Sequence, residues 1–78
     1  MSQNKPLVEA DLSVLAKRFR KQSRKTRAQA AREMGVAQTS IFNAEETLSQ
    51  SLLKLRIRMV ETYSPFKVVG PYFCLKRK

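Results

Sequence analysis

Seven basic residues and no acid fall in the run KRFRKQSRKTR, from Lys17 to Arg27. The chemistry open to such a run is the gripping of phosphates, because seven like charges repel one another and a polyanion relieves that repulsion. The blander alternative is a solvated helix end whose Lys and Arg side chains favour the C-terminal dipole. The whole chain shares the bias. Sixteen Lys and Arg against six Asp and Glu give a formal charge of +10. A domain this basic expects nucleic acid or an anionic membrane surface.

Other chemistry finds little to stand on. The chain has no histidine and a single cysteine, Cys74. That removes the commonest general acid–base group, a Cys/His zinc site and any disulfide framework. Glu45 and Glu46 are adjacent and therefore splay apart on a helix. No Gly-rich phosphate loop is present. Cys74 has no activating neighbour and reads as a buried structural thiol. The methionines read as core filler. The expectation is a protein that is not an enzyme and holds no cofactor or metal. A lone thiol suits a reducing cytoplasm. The opening MSQNKPLVEADL lacks the apolar run of a signal peptide. No stretch approaches the roughly 18 apolar residues of a membrane-spanning helix. No helix sets apolar bulk opposite a continuous basic face, which speaks against a membrane-surface role.

These groups need elements to position them. With 78 residues the chain is one small domain. Its core is marginal, since chains of this size bury only about 60 % of their unfolded surface. Oligomerisation is the expected supplement. Leu12, Leu15, Ala16 and Phe19 form one helical stripe, predicting a helix to about Gln22 that Leu7 and Val8 could extend. Glu9 or Asp11 favours its N-terminal end. Thr26-Arg27-Ala28-Gln29 fits the capping box, so a second helix starts at Arg27. Ala30, Ala31 and Met34 face inward on it, and Gly35 sits where a helix C-terminus wants positive φ. A third helix begins near Gln38 behind a poor cap, Ala37. Ile41 and Ala44 point inward, with Leu48 able to continue the stripe. Gln38, Thr39, Phe42 and Asn43 form the exposed face, with Ser40 at its side. Phe42 has two readings: it stands on that face, or it is core if the helix is rotated.

The stretch from Ser49 to Tyr63 fits two templates. As a helix, Leu48, Leu52, Leu55, Met59 and Tyr63 share a face, beside Leu53, Ile57 and Val60. As a strand, Leu53, Leu55, Ile57 and Met59 alternate with Lys54, Arg56 and Arg58. Residue type favours the helix, which Ser64-Pro65 would end. Its apolar arc is wider than one core needs, pointing to a second copy of the chain. The tail FKVVGPYFCL reads as strand, broken at Gly70-Pro71. Such an edge pairs with a neighbouring strand or with its copy in a dimer. Phe66, Val68, Tyr72, Phe73 and Leu75 are the residues assigned to that dimer contact. The chain thus divides into a helical part over 7–63, with a helix pair at 27–46, and a β tail over 66–76.

The helix pair carries a pattern. Counting from Arg27, Ala30, Ala31, Met34, Gly35, Val36, Ile41 and Ala44 stand where two steeply crossing helices need small, flexible or wedge-filling residues. This resembles the helix-turn-helix of the lambda repressor and Cro family of DNA-binding proteins. The resemblance implies a mainly α, lambda-repressor-like helix-turn-helix bundle, here with a short C-terminal β-strand or hairpin. It implies a homodimer on double-stranded DNA, with the second helix of the motif in the major groove. Gln38, Thr39 and Asn43 match base-reading positions: Gln and Asn can bind adenine bidentately, and Thr meets a polar edge or a thymine methyl. Phe42 could stack on such a methyl. Arg27 matches a position that holds a phosphate, and its place at a helix start suits an anion. Ser40, Lys25 and Arg24 join it as phosphate contacts.

There are departures. Many members have Gln where this chain has Arg27, and a Ser or Thr cap where it has Ala37. The usual Gly-containing loop is replaced by EETLSQS. A shortened loop and a fourth helix could follow, or a Cro-like β-hairpin over Leu53 to Met59. The expected activity is that of a transcriptional regulator, most simply a phage or plasmid repressor. It would read a palindromic operator with half-sites about 10 base pairs apart, and no small-molecule effector is evident. Two rivals stand beside it. One is an antitoxin-type partner-binding protein with secondary DNA contact. The other is non-specific nucleic-acid binding through charge, although Phe66, Tyr72 and Phe73 do not form a stacking platform.

Overall fold

The first helix, α1, spans Glu9–Gln22. Its start is fixed by Asp11, whose carboxylate accepts the backbone N–H of Val8 at 3.0 Å. Leu12 and Ala16 are fully buried, with Leu15 and Phe19 packed beside the core. Leu7 does not extend the helix. It forms an antiparallel bridge with Phe73, so the chain enters α1 from the sheet side. The structure is a computed structural model that describes residues 7–47, 52–70 and 73–78. The expectations for Leu48, Ser49 and Tyr72 fall outside those residues.

At the end of α1 the backbone N–H of Arg24 reaches Lys21 O at 3.0 Å, and that of Lys25 reaches Arg20 O at 3.2 Å. This is the paired 5→2 and 6→1 closure of a helix that ends in a left-handed residue. Here that residue is Arg24, at φ 59°. Helix α2, Arg27–Met34, starts at the capping box as expected. Thr26 Oγ1 accepts from Gln29 N at 3.1 Å, and Gln29 Oε1 accepts from Thr26 N at 2.8 Å. It ends at Gly35, φ 71°, where a side chain would be strained. Helix α3, Gln38–Glu46, follows after the three residues 35–37. Ala37 gives it no side-chain cap. Ala30, Ala31, Met34, Ile41 and Ala44 are all buried between the two helices and their neighbours.

The segment with two templates is helical: α4 runs Leu53–Tyr63 and no hairpin forms over Leu53 to Met59. Leu55, Met59 and Val60 are buried on it, and α1 is the helix it packs against most. Burying a face of period 3.6 against α1 decides between two patterns that residue type alone leaves close. The tail then folds back on itself. Strands β1, Phe66–Val69, and β2, Cys74–Arg77, pair antiparallel, with Val68 opposite Leu75. Leu75 is buried, Phe66 and Val68 pack on the same core, and the Phe66 ring lies 6.2 Å from that of Phe19. These three residues, assigned above to contact with a second copy, line the chain's own core. Phe73, assigned likewise, pairs with Leu7. Among the described residues, four helices pack together and are closed on one side by two antiparallel strands.

Candidate nucleic-acid interface

Helix α3 presents a narrow polar strip. Gln38 and Thr39 are exposed, Phe42 is 46 % exposed, and Ser40 and Asn43 are half-buried. The rotated-helix reading of Phe42 is thereby set aside. Its ring stands at the surface with the Arg27 guanidinium 4.9 Å from its centroid, within cation–π range. Asn43 Oδ1 accepts from Thr47 Oγ1 at 3.3 Å. Its amide nitrogen has no acceptor among the described residues. The strip thus offers hydrogen-bonding groups on both sides of one aromatic ring.

Beside the burial of Ile41 and Ala44 in the core, a network of charges holds α3 in place. Glu45 is fully buried and takes two bonds from Arg20 of α1, at 2.5 and 3.1 Å, and one from Arg27 Nε at 3.0 Å. Arg20 also donates to Lys25 O at 2.7 Å. Glu46 Oε2 receives Lys17 Nζ at 2.5 Å and Arg27 Nη2 at 2.8 Å. From the other side comes Arg56 of α4, with no exposed surface. Its Nε donates to Ala44 O at 2.9 Å and its Nη2 to Asn43 O and Thr47 O, while Nη1 meets the Glu9 carboxylate. The last carbonyls of α3 are thus capped by a side chain from another helix, where a Gly or a local cation would ordinarily serve. Arg58 does the same for α2, donating to Met34 O at 2.9 Å.

The basic run from Lys17 and the pair Glu45-Glu46 are visible in the sequence, but their pairing with one another and the burial of Arg56 are not. One signal was available. Glu45-Glu46 ends a helix with no cation in its last turn, where negative charge is unfavourable. Two carboxylates there must be answered by cations from elsewhere in the chain.

The basic run divides accordingly. Lys17, Arg20, Lys25 and Arg27 have carboxylate partners; Arg18, Lys21 and Arg24 are exposed and have none among the described residues. More than half of the run faces the chain's own acids, which corrects the expectation that it faces phosphates as a whole. Among the expected phosphate contacts, Arg24 points no charge at an acid, Ser40 is half-buried, and Lys25 is bound to Glu33 at 2.8 Å. Arg27 is shared between Glu45 and Glu46. Lys17 holds the Glu46 carboxyl below its ordinary value, and Lys25 with Tyr63 does so for Glu33. Burial and the Glu33 carboxylate push the Tyr63 phenol up.

A cleft of about 670 Å³ opens beside the α2–α3 turn, lined by Val36, Ser40, Leu52, Leu53, Leu55 and the cations Lys54 and Arg58. Cys74 is half-buried in β2. Among the described residues there is no cluster of His, Cys, Asp and Glu able to hold a metal ion. No helix among them is long and apolar enough to cross a membrane. Comparison with protein-family models, with curated proteins and with solved structures finds no match to this chain.

Proposed function

We propose that the chain is a sequence-specific DNA-binding protein, a transcriptional regulator of the repressor type, that lays α3 in the major groove. The observation that carries this reading is the strip of exposed Gln38, Thr39 and Phe42 with half-buried Asn43, on a helix fixed from behind by two buried arginines. A base-reading helix must be rigid, because bidentate hydrogen bonds discriminate only when donor and acceptor are held in register. The pair α2–α3, joined by three residues, serves as the helix-turn-helix unit. Gln38 and Asn43 would read adenine, Thr39 and Phe42 a thymine methyl. Arg18, Lys21 and Arg24 supply cations for the phosphate backbone. As a homodimer, two copies would present two α3 helices to half-sites about 10 base pairs apart.

Selection from a randomised duplex pool tests this. The expected winner is a palindrome bound roughly a thousandfold tighter than scrambled DNA. Gln38→Ala should cost about 1–3 kcal/mol on that winner and leave scrambled DNA unaffected. If no motif emerges and all affinity vanishes with salt, binding is by charge alone and the reading fails.

The cleft beside the turn favours one other reading, a module that docks an apolar segment of a partner protein, with DNA contact secondary. A second protein purifying in equal amount with the tagged chain would support it. A clean homodimer would count against it.

A further inference from the structure

We infer that Glu46 acts as a built-in substitute for a backbone phosphate, and that binding at a cognate DNA site exchanges its carboxylate for a phosphate on Lys17 and Arg27. This rests on the DNA-binding reading above and deepens it. Two cations from different helices, Lys17 of α1 and Arg27 of α2, converge on one oxygen, Glu46 Oε2. A phosphate oxygen makes the same demand of its ligands. The site borders the reading strip, because the same Arg27 guanidinium lies over Phe42. It is open to solvent: the side chains of Lys17, Arg27 and Glu46 are 36 %, 28 % and 33 % exposed. Glu45 differs. It is fully buried on Arg20, so it stays in place and keeps Arg27 Nε aimed when Nη2 changes partner.

The consequence is selectivity. Exposed, unpaired cations bind any duplex, whereas here two of the chain's cations are engaged until a phosphate arrives in the right place to displace Glu46. On a scrambled duplex the Glu46 carboxylate keeps both cations, so non-specific affinity is held down and the cost of displacement is met only at a well-fitted site. Only a site with good base contacts overcomes it.

The test is the salt dependence of binding to a scrambled duplex and to the selected palindrome. Each phosphate neutralised contributes about 0.9 to the slope of log affinity against log salt. Glu46→Gln keeps the shape and releases both cations, so the slope should steepen by about 1 to 2 units with severalfold tighter binding at low salt. Asp11→Asn removes the same charge without releasing a cation, and should leave the slope unchanged. Lys17→Gln, with Glu46 intact, should leave the scrambled slope unchanged and make the slope on the selected palindrome shallower by about 1 unit. An unchanged slope in Glu46→Gln, or an equal steepening in Asp11→Asn, overturns the exchange while leaving DNA binding standing. If circular dichroism shows Glu46→Gln unfolded, Lys17→Gln decides: an unchanged slope on the selected palindrome overturns the exchange. Absence of duplex binding by the parent chain overturns both readings.

Discussion

At the scale of single residues, Arg24 holds a conformation in which glycine would be more comfortable. A non-glycine residue in the left-handed region carries strain of about 1 kcal/mol. Arg24 is exposed and has no carboxylate partner among the described residues, so nothing visible within the chain offsets that strain. Arg24→Gly is therefore expected to raise stability by about 0.5–1 kcal/mol in urea unfolding. If Arg24 contacts a phosphate, the same change should make the salt slope shallower by about 0.9. A variant that is stabler yet binds DNA as before would remove Arg24 from the interface. The position was not legible in the sequence, because the usual signal for such a helix end is a Gly or Asn. Gly35 does carry the signal, and it ends α2 in the left-handed region.

At the scale of elements, local chemistry marks both ends of α2, while the start of α3 at Gln38 carries no side-chain cap and is only approximate in the sequence. A capping box and a left-handed glycine are written in neighbouring side chains, so they can be read without tertiary knowledge. For α4 they were lacking, and both periods fitted until a packing partner chose. Arg56 was hidden for a related reason. Arginine is almost never fully buried unless paired, so a sequence reading turns it outward. Its guanidinium fork fits three carbonyls and a carboxylate at once, which no single-point donor can match. Removing one member of a buried charged network leaves the others unsatisfied. Arg56→Met should cost about 3–5 kcal/mol in chemical denaturation. A loss below about 1 kcal/mol would mean that water caps α3 equally well.

At the scale of the whole molecule, a chain of net charge +10 spends its few acids on joints between elements. Glu9 joins α1 to α4, Glu45 and Glu46 join α3 to α1 and α2, and Glu33 ties α2 to Lys25 and Tyr63. This sets the response to pH. Glu33 and Glu46 are held below their ordinary value of 4.5, so their contribution is present above that pH and is lost as pH falls through the folded values. Tyr63 is raised above its ordinary 10.0, so its contribution is intact below that pH and is lost as pH rises beyond it. Melting temperature should be flat between these limits and fall on both sides. Glu33→Gln with Glu46→Gln should flatten the acid limb, and Tyr63→Phe should remove the delayed phenolate absorbance. An acid limb unchanged in the double variant would assign it to other carboxylates.

The borrowed cap on α3 has one more consequence. Its first turn has no side-chain cap and its last turn is closed by Arg56, a residue ten positions beyond its end. The nine residues of α3 therefore have no separate life as a helix. Cut out as a peptide they would be coil, and grafted onto another scaffold they would carry the letters without the posture. In amide exchange, the backbone protons of α3 should open together with those of α4, in a single event whose rate Arg56→Met accelerates for both.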